Sequence, residues 1–295
     1  MKFGKVEDPS LVDFTLPSDH GGTSLVLEKQ GGALQSIAVG CAKWNRNDLK
    51  GFYPRGTKDE LSYYATQFNS IELNATFYGM PSAKQVTTWK NKTPEGFLFF
   101  PKITNTVSHY RRLINVADAV TQYAMAVMHF GEKLGMVFLQ LHDNFKPKDY
   151  DRLEKFVEEW PRELPLAVEL RNREWFDDSV VFDKVCALFE RCGVTNMIVD
   201  TAGRRDMLHM RLTTPYAFIR YVGANAASDY ARLEDWMERL SSWKDKGLKG
   251  LYFFVHQNVE QASPLLSAHL IKMMNERWKT DLKVPVMAVE QPVLF

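Results

Sequence analysis

PLAVELR, residues 165–171, reads as a strand: Leu166, Val168 and Leu170 fall on one face, and Ala167, Glu169 and Arg171 on the other. SIELN at 70–74 divides the same way, with Ile71 and Leu73 opposite Glu72 and Asn74. Working outward, comparable runs stand at IAVG (37–40), FLFFPKI (97–103), GMVFLQL (135–141), TNMIVDT (195–201), AFIRYVG (217–223) and GLYFFVHQ (250–257). Between them lie helical spacings such as Leu61, Tyr64, Ala65, Phe68 and Leu233, Trp236, Met237, Leu240. Eight short apolar runs alternating with longer amphipathic ones are the pattern of β-α units around a parallel sheet. The expected fold is therefore α/β, a single (β/α)8 TIM barrel over residues 36–283. An N-terminal arm (1–35) without sustained periodicity would precede it, and a short C-terminal tail (284–295) would follow the last helix. The gap between the sixth and seventh runs is short for the helix that the pattern expects there.

Thirty-seven basic residues against 36 acidic ones give a formal charge of +1, so no global field recruits nucleic acid or an anionic membrane. Three cysteines are an odd count, and Cys186 and Cys192 lie six positions apart on one predicted helix, facing too differently to bridge easily. That favours a reducing compartment. The N-terminus lacks an apolar signal core, and no apolar run approaches the roughly 20 residues of a membrane helix. A cytoplasmic protein is expected.

In a barrel one strand face looks inward and the other meets the helices. Sorting by this parity turns Glu72, Asn74, Lys102, Gln140, Glu169, Arg171, Asp200, Arg220 and His256 inward, near the C-terminal ends of their strands, where barrel enzymes keep their sites. Three acids then face three bases, so that charge is paired rather than isolated in a desolvated mouth. The bland alternative is an ion-pair network that only caps the barrel core and fixes strand register.

These residues sit in longer motifs: GCAKWNRNDLKGFYP (40–54), FNSIELNATFYGMPS (68–82), FLFFPKI followed by SHY (108–110), FLQL (138–141), AVELRNREW (167–175) and FIRYVG (218–223). Together they resemble the YecE-like family, domain of unknown function number 72, TIM-barrel proteins of unassigned function. The resemblance runs from about Ile37 to the last helix. It marks Gly40, Trp44, Tyr53, Pro54, Thr76, Phe77, Tyr78, His109, Trp175 and Gly223 beside most of the inward set. The chain departs from the family pattern at Asn172 and Val222, where His is usual, and at His256 and Gln257, where paired Asn is usual.

Arg171 and Arg220 offer planar forks for carboxylate or phosphate and Lys102 adds a point charge, so an anionic, phosphate-bearing substrate is expected. Glu72 and Glu169 would act as base or positioning groups with Asp200, His109 as general acid, and Asn74, Tyr78, Gln140 and His256 as substrate contacts. A competing reading gathers Glu72, Glu169, Asp200, His109 and His256 around a divalent metal for phosphodiester hydrolysis, although no short-spaced ligand pair supports it. A third is a non-catalytic binding protein. The final QPVLF resembles the pentapeptide by which bacterial proteins dock on the sliding clamp, through Gln291, Leu294 and Phe295.

Overall fold

The structure is a computed structural model that describes residues 4–288. Its strands are β1 (Ser36–Cys41), β2 (Ser70–Leu73), β3 (Leu98–Pro101), β4 (Val137–Gln140), β5 (Leu166–Glu169), β6 (Thr195–Asn196), β7 (Ile198–Thr201), β8 (Tyr216–Gly223) and β9 (Gly250–Gln257). Helices alternate with them: α1 (Gly21–Gln30), α2 (Glu60–Gln67), α3 (Ala75–Tyr78), α4 (Ala83–Asn91), α5 (Ala117–Val127), α6 (Tyr150–Glu159), α7 (Ser179–Cys192), α8 (Ser228–Asp245) and α9 (Ser263–Trp278). Local chemistry sets their limits. In α7 the Asp178 carboxylate accepts from Val180 N at 2.8 Å, and the helix stops at Gly193, whose φ of +68° favours glycine. In α6, Tyr150, Leu153, Phe156 and Val157 form the buried stripe.

Every strand pairing is parallel, in the orders β1-β9-β8-β7, β2-β3 and β4-β5-β6. The fold is thus mixed α/β with parallel sheets, and the ladders divide into three rather than closing into one. At the β1/β2 seam the Asn69 side chain replaces the ladder, donating to Ile37 O at 2.7 Å and accepting from Val39 N at 3.0 Å. A Cβ on Gly40 would stand 2.3 Å from Ser70 O, so this approach requires glycine. Between β3 and β4, Gly135 N donates to Phe99 O and Ile103 N to Phe138 O, both at 2.9 Å.

The sixth predicted strand is broken at Met197, its first part pairing with β5 and its second with β8. After it the chain makes only the tight turn Ala202–Met207, kinked at Arg204, where a helix was expected. The predicted arm contains α1, which irregular apolar spacing did not announce; His20 Nδ1 accepts from Gly22 N to start it, and Thr23, Val26 and Leu27 are buried.

Helices cover the outer strand faces with large apolar clusters. On the opposite face Ala38, Phe100, Met136, Phe138, Ala167, Met197, Phe218, Tyr252 and Phe254 pack against one another. Phe100 meets Tyr252 and Phe254 with ring centroids 4.8 Å apart. Among the described residues no helix is long and apolar enough to cross a membrane.

Candidate functional site

A polar layer stands directly above this inner cluster. Two residues beyond Phe100, Phe138, Ala167, Phe218 and Phe254, the strand period of two places Lys102, Gln140, Glu169, Arg220 and His256 on the same face. Glu72 joins them from β2. Arg220 Nε and Nη2 donate to Glu72 Oε2 and Oε1 at 2.9 and 3.1 Å, and Nη1 donates to Glu169 Oε2 at 2.6 Å. Both carboxylates are wholly buried.

The remaining partners surround this triad. Asn74 Nδ2 donates to Glu72 Oε1 at 2.8 Å, and His256 Nε2 lies 2.9 Å from Glu72 Oε2. Gln140 Nε2 donates to both oxygens of Glu169 at 3.0 and 2.9 Å. That fixes the amide so that its Oε1 accepts from Lys102 Nζ at 2.8 Å and Arg171 Nη1 at 3.1 Å. Arg171 Nε also lies 3.3 Å from Glu169 and 3.4 Å from the exposed Asp143. Lys102 Nζ sits 4.1 Å above the Phe77 ring and 5.9 Å from that of Phe138.

Burial would raise the carboxyl pKa of Glu72, but Arg220 and His256 outweigh it and hold the group well below the usual carboxylate range. Glu169 is lowered in the same way, burial being overcome by Arg220 and Arg171. For Arg220 burial works against the charge and the two glutamates more than restore it. Lys102 is the exception: burial, then the neighbouring Arg220 charge, bring its pKa down to about 7 despite Glu169 and Glu72. His109 follows β3 on a helical turn, Thr106–Tyr110, with its ring 4.9 Å from Phe77 and 5.1 Å from His142. Burial and His142 bring its pKa down to about 4.

The structure thus brings together Glu72, Asn74, Lys102, Gln140, Glu169, Arg171, Arg220 and His256, with His109 one ring away through Phe77. Tyr78 stands outside the network, 77% exposed. Asp200 corrects the parity expectation. In TNMIVDT three consecutive apolar residues leave either phase open, and here Met197 turns into the inner cluster, so Ile198 and Asp200 face α8. Asp200 accepts from Trp236 Nε1 at 2.7 Å, pairs with Arg232 at 2.9 Å and also pairs with Arg205. The metal grouping does not assemble either: among the described residues no three His, Cys, Asp or Glu side chains converge as ligands.

Sequence reading missed Asp143 and His142, and also Arg204, whose Nη2 donates to Arg171 O at 3.0 Å. All three lie on loops, where no strand parity points them anywhere. Val222 pairs in register with His256, so the position where relatives are expected to carry histidine adjoins the histidine present here. The QPVLF motif with Gln291, Leu294 and Phe295 lies outside the described residues.

With this geometry in view, comparison with known proteins gives a consistent picture. The chain is 27% identical over 253 residues to the UPF0759 protein YecE of Escherichia coli (strain K12), a match covering 78% of this chain and 90% of that protein. It is 28% identical over 150 residues to the UPF0759 protein YunF of Bacillus subtilis (strain 168), covering 48% of this chain and 52% of YunF. Among solved structures, a DUF72 family protein from Thermotoga maritima MSB8 superposes with a TM-score of 0.67 at 25% identity, covering 82% of this chain and 100% of the other. A DUF72 family protein from Enterococcus faecalis V583 superposes with a TM-score of 0.68 at 20% identity, covering 81% and 95%, and shares the fold. The family model described as "Protein of unknown function DUF72" matches residues 38–289, and the chain belongs to that family.

Proposed function

We propose that the strands close as a (β/α)8 barrel and that the polar layer at their C-terminal ends is the working site of an enzyme acting on a small anionic, phosphate-bearing substrate. The inner apolar cluster, drawn from strands of all three sheets, supports the closed arrangement. One observation carries the function: two buried carboxylates, Glu72 and Glu169, are already matched by Arg220 and Arg171, so that protonation of the neighbouring Lys102 leaves one positive charge in excess. Asp143 also reaches Arg171, but it is 57% exposed and its charge is largely screened by water. An anion beside Lys102 and Arg171 would complete neutrality in a desolvated setting.

The roles differ from those that spacing suggested. Arg220 has all its nitrogens on carboxylates or near His256 and acts as the organiser of the two glutamates, not as an anion contact. His109, held near 4, is neutral at pH 7 and serves as a hydrogen-bonding wall rather than an acid. The Glu72–His256 pair, half-buried at its imidazole end, is the proton-transfer group. The test is titration with inorganic phosphate, followed by thermal unfolding. Wild type should be stabilised, and Arg171→Met should bind on the order of tenfold or more weakly, as expected for loss of a charge-assisted bond. Absence of stabilisation in wild type would refute the reading.

A further inference from the structure

Lys102 and Lys133 are both buried, yet their surroundings are opposite. Lys133 Nζ donates to three oxygens, Lys90 O at 2.9 Å, Thr93 O at 2.6 Å and Thr93 Oγ1 at 3.2 Å, and so caps a chain turn as a satisfied ammonium. Lys102 Nζ has one hydrogen-bond acceptor, the Gln140 amide, and otherwise faces the rings of Phe77 and Phe138. Among the described residues it forms no ion pair within 4 Å, because Arg220 occupies the nearest carboxylates. It is 6% exposed, and the half-buried Phe77 ring contacts both its ammonium end and the ring of half-buried His109. A buried lysine with no ion pair within 4 Å, at the end of a strand and beside the proposed anion position, is arranged as a nucleophile rather than as a structural charge.

We propose that Lys102 is a nucleophilic amine that forms an imine with the carbonyl group of an anionic aldehyde or ketone held at this site. The proposal rests on the anion-binding reading given above, since Arg171 is the group that would hold the substrate's phosphate or carboxylate. The Nζ lone pair adds to the carbonyl carbon while the carbonyl oxygen takes up a proton. The nitrogen then loses a proton, and the new hydroxyl takes up a second proton and leaves as water as the C–O bond breaks and the nitrogen lone pair forms the C=N bond. The resulting protonated imine can release its remaining N–H proton. The sum is amine plus carbonyl giving imine plus water, with nothing oxidised or reduced. The Phe77 and Phe138 faces stabilise the protonated imine as they do the ammonium. The groups around Nζ agree with a reactive amine: burial, Arg220 and Arg171 favour the neutral form against Glu169 and Glu72 and bring the pKa down to about 7.

The test uses the full-length protein with dihydroxyacetone phosphate and sodium cyanoborohydride at pH 7.5, and peptide mapping by mass spectrometry to locate the reduced adduct. Lys102 should carry label on the order of a hundredfold above any surface lysine, because an ordinary lysine is almost wholly protonated there. Inorganic phosphate should block it, and Lys102→Arg should remove it while remaining folded by circular dichroism. Label spread over surface lysines with Lys102 unmodified overturns the proposal, even where inorganic phosphate still stabilises the protein and the anion reading survives. If uncharged dihydroxyacetone labels Lys102 as fast as the phosphorylated probe, the imine stands and the anion reading falls.

Discussion

Arg220 and Glu72 meet side-on through two hydrogen bonds, Nε to Oε2 at 2.9 Å and Nη2 to Oε1 at 3.1 Å, across 148 residues of sequence and between strands of different sheets. With the third bond to Glu169, one guanidinium ties together β8, β2 and β5, each from a different sheet. It joins what the backbone ladders leave separate. It also keeps both buried carboxylates ionised, and so sets the charge that Lys102 experiences.

Arg220→Met should therefore cost stability as well as any activity. Removing it leaves two buried carboxylates facing each other, and breaking a buried pair costs about 3–5 kcal/mol. Urea unfolding of the variant checks this; a midpoint unchanged from wild type would mean that the triad contributes nothing to the fold.

Acid should destabilise the protein through the same pair. Glu72 and Glu169 have folded pKa values below their unfolded ones, so their contribution is fully present above the ordinary carboxylate range. It is lost progressively as pH falls from about 5 toward their lower folded values. Urea midpoints between pH 6 and pH 3 should fall steeply in wild type and less steeply in Glu72→Gln.

Lys102 works in the opposite range. Its pKa, about 7 when folded against 10.5 ordinarily, means that the unfolded chain binds more protons between these values. Stability should rise with pH from 7 to about 10 relative to Lys102→Met, in which that slope is absent. Parallel unfolding curves for the two proteins across this window would contradict the lowered pKa.

Asp200 gives a control outside the site. Asp200→Asn removes the charge that pairs with Arg232 and Arg205 beneath α8, with an expected loss of about 3–5 kcal/mol, while phosphate affinity stays within about twofold. A selective loss of phosphate binding would place Asp200 back in the site.

The strand order along the chain was legible because each run is short, apolar and separated from the next by a helical spacing. The inward set was legible wherever one face of a run was clearly apolar, as in SIELN and PLAVELR. It failed at TNMIVDT, where Met197, Ile198 and Val199 are all apolar and only the tertiary packing of Met197 chooses the phase. The partition of roles was not legible at all. That Arg220 faces carboxylates while Lys102 faces aromatic rings depends on pairings across sheets, and α1 is held by burial against the body rather than by its own periodicity. Loop residues such as Asp143 and Arg204 enter the site through chain geometry that strand parity does not encode.

The binding of an anion beside Lys102 and Arg171 is tested most directly by calorimetric titration with sulfate, which does not itself titrate near neutrality, in two buffers of different ionisation enthalpy at pH 8. Sulfate binding should draw a proton onto Lys102, giving net uptake that disappears in Lys102→Met and weaker binding in Arg171→Met. Sulfate binding with no proton exchange, unchanged in both variants, would contradict the assignment of the site.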